Sequence, residues 1–363
     1  GVFPPAVVTD ICVLEDGGAV FAAMEEAIAN AKTEIRVLFY IWQVDPTGER
    51  FAARLAERAR AGVKVRVLVD EMGSRRFLRR LAKGLREAGV EVVGLLPNRI
   101  SLLAPTFNLR NHRKLMLVDG AVAFTGGMNI GREYEHEWHD FMIRLGGAVV
   151  RNLDDVFRED WNFARDEALD EIKGEGLACP VQSSDLCVVS GPDRTENRVH
   201  DAFFLAIAGA RQRLWLTSPY FIPSTAIVAA LRGAAQRGVD VRILTPRLND
   251  IALVALASRS YYSNLVSEGV RVFEYLPRFL HAKSLVVDDE LAFVGSANVD
   301  TRSFRLNFEL GCFVLARELN TSLGALFERD LKDSIEIRGD ELERKSAGLV
   351  CLESAAHLLS PLL

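Results

Sequence analysis

Short apolar runs alternate along the chain with stretches in which apolar residues return every third or fourth position. Ile35–Trp42, Val63–Leu68 and Val90–Val92 read as buried strands, and Leu55, Ala59, Phe77, Leu81 and Leu85 mark the helical faces between them. The same order returns later. Leu214–Phe221, Val239–Leu244 and Val270–Val272 are strand-like, with Ile227, Ala230, Leu231 and Ala234 at helical spacing. Strands alternating with helices of this length predict βαβ units and a parallel, doubly covered sheet. Each series then closes with a motif strand, a short return strand (Ala121–Thr125, Leu291–Val294) and a third strand (Trp138–Leu145, Phe308–Leu315).

This duplication predicts an α/β fold of two halves related by a pseudo-two-fold axis. Each half is expected to be a mixed, mostly parallel sheet flanked by helices, over residues 1–170 and 180–340. A polar, Gly-containing stretch between Arg165 and Ser184 would link them. The tail from 341 to 363, with Leu349, Val350, Leu352, Leu358, Leu359 and Leu362, suits either a packed terminal helix or a membrane contact.

Of the 363 residues, 49% are hydrophobic and 26% charged, which excludes wholesale disorder. The net charge of −5 argues against a surface that coats nucleic acid. Five cysteines, with no C-x-x-C pair, read as buried free thiols rather than a disulfide framework. No apolar run reaches the roughly 18–20 residues of a membrane-spanning helix. The chain opens on Gly1 rather than Met, so a native N-terminal anchor can lie outside it.

The strongest signal is a pattern present twice, H-x-K-x4-D-x6-G-[GS]-x-N. It begins at His112 and again at His281, giving His112, Lys114, Asp119 and Asn129 in the first copy and His281, Lys283, Asp288 and Asn298 in the second. Histidine and lysine two apart on a strand project from one face. A titratable nitrogen, a positive charge and a carboxamide behind small residues make a pocket for phosphate oxygens with a nucleophile or acid beside it. Asp140 follows His112, and Glu309 follows His281, at the same distance of 28 residues. Each opens the third strand of its half and is expected to orient the histidine of that half through Nδ1. Asp119 and Asp288 stand at strand ends facing turns, where they either complete the motif chemistry or pin the loops.

These residues resemble the phospholipase D superfamily, which carries the duplicated H-x-K-x4-D motif. The likeness is closest to bacterial cardiolipin synthases, through Asn111–Asp119, Gly126–Tyr134, Phe157–Trp161, Pro219–Pro223, Phe279–Lys283 and Asp300–Glu309, and it spans residues 10–335. The resemblance implies a phosphatidyltransferase that joins two phosphatidylglycerols into cardiolipin and glycerol through a phosphatidyl-histidine. His112 would attack and His281 would serve as acid and base, with Lys114, Lys283, Asn129 and Asn298 on the phosphate oxygens. No metal or other cofactor is implied. The partners would be the phospholipid and a membrane surface, the bacterial cytoplasmic membrane, with no nucleic acid. A hydrolytic phospholipase D yielding phosphatidate and a nuclease of the same superfamily are the rivals. Many such relatives carry two N-terminal membrane helices absent here. The sequence also departs in Trp138-His139-Asp140, where Arg is expected before the Asp, and in Gly295-Ser296, where Gly-Thr is common.

Three further segments carry chemistry. His136 and His139, among four carboxylates, have the H-x-x-H spacing of a metal site but no second ligand cluster, so an oriented Asp140 beside a solvated acidic loop is the better reading. Arg75–Arg86 reads as one basic amphipathic helix, suited to anionic headgroups or to a solvated face. The insertion Asn98–Arg110, with no counterpart in the second half, offers an acyl-chain contact or a packing loop.

Overall fold

In the computed structural model of the chain, residues 3, 5–95, 109–172, 184–191 and 197–360 are described, with 184–187 described by backbone alone. The first half runs β1 (Ala6–Leu14), α1 (Gly17–Asn30), β2 (Glu34–Phe39), α2 (Pro46–Arg60), β3 (Lys64–Asp70), α3 (Arg75–Arg80), α4 (Ala82–Glu87), β4 (Glu91–Leu95), β5 (Arg110–Asn111), β6 (Leu115–Val118), β7 (Val122–Gly126), β8 (Met142–Gly147) and α5 (Val149–Arg165). The second runs β9 (Ser184–Ser190), α6 (Arg198–Gly209), β10 (Arg213–Thr217), α7 (Thr225–Gln236), β11 (Asp240–Pro246), α8 (Ala252–Ser260), α9 (Tyr262–Val266), β12 (Arg271–Tyr275), β13 (Ser284–Val287), β14 (Leu291–Gly295), α10 (Thr301–Arg305), β15 (Asn307–Leu315) and α11 (Arg317–Lys332). Then follow β16 (Ser334–Ile337), α12 (Gly339–Glu343) and α13 (Ala347–Leu358).

The local chemistry repeats with the order. Asp45 caps α2 through the Gly48 amide at 2.8 Å, with Pro46 in the first turn, and Ser224 caps α7 through Ile227. Gly62 and Gly238 follow these two helices with φ of +93° and +87°. Open space surrounds each, so backbone conformation rather than crowding selects glycine.

Strands β2, β3 and β4 pair in parallel, as do β10, β11 and β12. The motif hairpins β6–β7 and β13–β14 add antiparallel strands, continued by β8 and β15. Each half is therefore mixed, its parallel part limited to three strands. Strand β1, which the periodicity did not signal, pairs with β8 and, through Ala6 and Val7, with β9. That contact joins the halves into one sheet ordered β16-β12-β11-β10-β13-β14-β15-β9-β1-β8-β7-β6-β2-β3-β4.

One apolar core runs under α5 and α11 and takes Val8, Leu117, Leu153 and Phe157 from the first half with Val286, Leu310 and Leu323 from the second. The two halves thus share their interior, and separate cores under α1–α4 and under α6, α7 and α9 cover the outer faces. Burial of this kind, at about 25 cal/mol per Å², holds the halves in a fixed relation.

The structure departs from the sequence expectations for the basic segment and for the cysteines. The basic segment is two short helices meeting at Leu81, a bend that lets Phe77 and then Ala82 and Leu85 reach the same core. Among the cysteines whose side chains are described, Cys312 is buried, Cys351 exposed and Cys12 intermediate. The tail forms α13, packed on α8. Most of the insertion and of the linker lies outside the described residues.

Candidate active site

The two motif histidines are set by extended lead-ins to β6 and β13 rather than by the strands themselves. Each lead-in is held by the opposite half. Arg110 and Asn111 pair in parallel with Asn307 and Phe308, and the His112 amide donates to the Phe308 carbonyl at 2.9 Å. Reciprocally, His139 bridges Leu280, with the His139 amide on Phe279 and the His281 amide on the His139 carbonyl, both at 2.8 Å.

This exchange decides which carboxylate meets which imidazole. His112 Nδ1 lies 3.0 and 3.1 Å from the two oxygens of Glu309, and His281 Nδ1 lies 2.6 Å from Asp140. The expected pairing within each half is therefore wrong. The strand start that carries the carboxylate crosses to the neighbouring lead-in, so each histidine is oriented from the other half. A carboxylate on Nδ1 fixes the tautomer with the proton there and leaves the Nε2 lone pair as base or nucleophile.

Burial lowers His112 to about 4, with Glu309 opposing and Lys114 reinforcing the fall. Burial also lowers His281 to about 3, with Lys283 adding to it. Both imidazoles are thus neutral near pH 7. Burial alone would raise Glu309, but His112, Lys114 and Ser296 bring it down to about 2, and His281 and Lys283 similarly hold Asp140 below the usual carboxylate range. Lys283 falls to about 8 and Lys114 well below its ordinary value, both chiefly through burial. Each lysine also depresses the histidine of the other half, which places all four groups in one electrostatic environment.

The lysines bracket this centre. Lys283 Nζ stands 3.0 Å from His281 Nε2, and Lys114 Nζ donates to the His112 carbonyl at 2.6 Å. His112 Nε2 has no hydrogen-bond partner among the described residues. At the turn behind the motif the halves differ. A side chain at Gly127 would come within 2.9 Å of Lys283 Cδ and 3.2 Å of an Asp140 oxygen. At the equivalent place Ser296 fits and donates to Glu309, while accepting from the Leu310 amide at 3.0 Å.

The family described as "Cardiolipin synthase, PLD-like domain" matches residues 24–161 and 204–331, one stretch in each half. The chain belongs to that family. It is 36% identical to a cardiolipin synthase of Geobacillus sp. (strain WCH70), over all of this chain and 74% of that protein. It is 38% identical to a cardiolipin synthase of Halalkalibacterium halodurans, over 99% of this chain and 73% of the relative. Among solved structures, phosphatidylserine synthase from Haemophilus influenzae Rd KW20 superposes with a TM-score of 0.76, covering 99% of this chain and 97% of that one. Its 16% identity speaks to the fold alone.

Within this cardiolipin synthase family member, the remaining motif residues divide. Asp119 and Asp288 sit beyond the far ends of β6 and β13, with φ of 52° and 48°. Asp119 accepts from the amides of Lys32, Thr33 and Glu34, and Asp288 from those of Arg211, Gln212 and Arg213. They pin the entries to β2 and β10 and are not brought to the histidines. Asn129 is engaged at both ends, accepting from the Ile41 amide and donating to Tyr134. The Asn298 side-chain oxygen is buried without a hydrogen-bond partner among the described residues.

The H-x-x-H residues separate. His139 is buried against Asp330 at 2.8 Å, while His136 is half-exposed beside Glu135. Among the described residues no group of three or more His, Cys, Asp or Glu side chains is placed to hold a metal ion.

Sequence reading missed the contributions of seven residues. Ser296 and Asn307 both hydrogen-bond Glu309. Arg113, between His112 and Lys114, is buried, paired with Asp160 at 2.6 Å and donating to the Glu309 carbonyl. Aromatic rings enclose the histidines, with Tyr40 5.1 Å from His112 and Trp138, Tyr134 and Phe279 within 6 Å of His281. The one available signal was Arg113, a charged residue inside an otherwise duplicated motif whose second copy has Ala282.

Proposed function

We propose that the protein is a phosphatidyltransferase that converts two phosphatidylglycerols into cardiolipin and glycerol. In the first step His112 Nε2 attacks the phosphorus of one phosphatidylglycerol. The P–O bond to glycerol breaks, His281 gives its proton to the departing oxygen, and a phosphatidyl-histidine remains. In the second step His281 takes the proton from the terminal glycerol hydroxyl of another phosphatidylglycerol. That oxygen attacks phosphorus and displaces His112. Lys114 and Lys283 neutralise the non-bridging oxygens, and the buried site strengthens those contacts.

The observation that carries this reading is the reciprocal bracing of two neutral imidazoles, each with Nδ1 on a carboxylate of the opposite half. A double displacement needs two such groups in one pocket. His112 is favoured as nucleophile because its Nε2 is unengaged, whereas His281 Nε2 faces Lys283. The phosphodiester anion raises the imidazole next to it, so His281 acquires the proton it must deliver once substrate is bound. Lipid substrates place the protein at a membrane surface, which we take to be the bacterial cytoplasmic membrane. No helix among the described residues is long and apolar enough to cross one.

Incubation with labelled phosphatidylglycerol in detergent micelles tests the reading. Cardiolipin with released glycerol is the expected result. Phosphatidate alone means that water is the acceptor and contradicts the transferase, and no lipid product contradicts both.

A further inference from the structure

Helix α13 is inside out for a helix that faces water. Its one charged residue, Glu353, is buried and paired with Lys345 at 2.7 Å, while Leu352 is 58% exposed and Leu358 80%. Val350 and Leu359 are exposed as well, and from Ser346 to Leu363 the sequence holds no Lys, Arg or Asp. A surface helix normally turns its apolar stripe inward. Here the inward contact uses few of its apolar residues: Ala356 is set against Val254 and Ala257 of α8, and His357 meets Ser260 and Tyr261.

Further exposed apolar residues stand on α8, the helix that α13 packs against, at its end nearer the active site. Ile251 and Leu253 at the start of α8 are exposed, and the preceding Asp250 accepts from Tyr220 at 2.8 Å. Tyr220 lies against Phe279, which lies against His281. The pseudo-symmetric counterpart of α8 is α3, since each follows the second parallel strand of its half at the end where the histidine lead-ins arrive. The Asp70 carboxylate, just before α3, holds the Asn111 amide at 3.0 Å. Helix α3 presents Arg75, Arg76, Arg79 and Arg80, exposed and without an ion pair among the described residues. The site is thus flanked by an apolar surface on one side and a basic one on the other.

We propose that α13 and the start of α8 form a lipid-docking surface that settles into the headgroup layer of an anionic bilayer, with α3 making the electrostatic contact across the site. This rests on the phospholipid reading of the active site. An uncharged leucine surface beside unpaired arginines complements an anionic bilayer on both counts, apolar interior and negative surface. Docking in this pose brings the lipid headgroups to the aromatic side of His281.

Flotation with vesicles of phosphatidylcholine, with and without phosphatidylglycerol, tests the proposal on the full chain. At about 1 M salt, where the Debye length is about 3 Å, the arginine contribution is screened and the apolar one remains. The wild type is expected to float with both vesicles, and Leu352→Glu/Leu358→Glu to bind at least about a hundredfold more weakly. Arg75→Ala/Arg79→Ala should lose only the low-salt preference for phosphatidylglycerol. Cardiolipin formation in micelles is read separately and should stay unchanged in the leucine variant, provided its melting curve matches wild type. Vesicle binding can therefore fail while turnover holds, and the reverse. Wild-type vesicle binding by the leucine variant overturns the proposal. So does a wild type that ignores vesicles and self-associates through this face in sedimentation.

Discussion

Glu309 holds His112 at 3.0 Å although the two residues lie 197 positions apart and in opposite halves of the molecule. Asp140 and His281 repeat the relationship in the other direction at 2.6 Å. Neither half orients its own histidine. The active site is consequently a property of the assembled pair, and the shared core under α5 and α11 becomes part of what keeps the imidazoles aimed.

Crossed bracing gives crossed kinetic signatures. Glu309→Gln should disable the step that needs His112, so no covalent intermediate forms. Asp140→Asn should disable the step that needs His281, so an intermediate made from an activated donor persists. Each loses turnover by up to about 10⁴-fold, as for a comparable orienting carboxylate. Label retention in rapid-quench experiments separates the two, and the opposite assignment would restore pairing within each half.

The turn behind the motif is not interchangeable between halves. Ser296→Ala removes a donor to a buried carboxylate, a loss of about 1.5–3 kcal/mol for a charged acceptor, and should raise the pKa of Glu309 and slow turnover with little loss of substrate affinity. Gly127→Ser places atoms against Lys283 and Asp140 and should damage activity more severely. Steady-state kinetics on both variants, with melting temperatures as a control, checks the order.

Much of this was legible in the sequence, and the failure is specific. The duplicated motif, the helix–glycine–strand series and the equal spacing of Asp140 and Glu309 pointed to two halves and to the two carboxylates and two lysines beside the histidines, though not to Arg113. What spacing along the chain could not reveal was the exchange at the dyad. A carboxylate 28 residues from a histidine looks local, but Asn307 and Phe308 find their backbone partners in Arg110 and Asn111. The inverted polarity of α13 was equally invisible, because a run of leucines in a tail carries no statement of which side packs.

Anion binding should take up protons. With His112 lowered to about 4 and His281 to about 3, both are neutral at pH 7, and a bound phosphate raises whichever imidazole it touches. Affinity for inorganic phosphate should therefore fall as pH rises. Above pH about 8 it should fall further, as Lys283 loses its charge. Calorimetry in buffers of different ionisation enthalpy reads the uptake directly, and a buffer-independent heat contradicts the role given to His281.

Asp119 and Asp288 should matter for stability and not for chemistry. Asp119→Ala and Asp288→Ala each remove a side-chain acceptor from a row of backbone amides and place alanine at positive φ, costing about 1–2 kcal/mol. Denaturant midpoints should drop while kcat of the folded protein stays near wild type. A large fall in kcat at unchanged stability would return them to the reaction.

The most direct test of the account is the site of covalent attachment. A phosphate on histidine nitrogen is labile in acid and survives base, so it can be located on a peptide after quenching in alkali. With an activated phosphatidyl donor, the His281→Ala protein should retain label on the peptide that contains His112, and the His112→Ala protein should retain none. Label on His281 in the His112→Ala protein would contradict the assignment, and no label in either variant would contradict the covalent route itself.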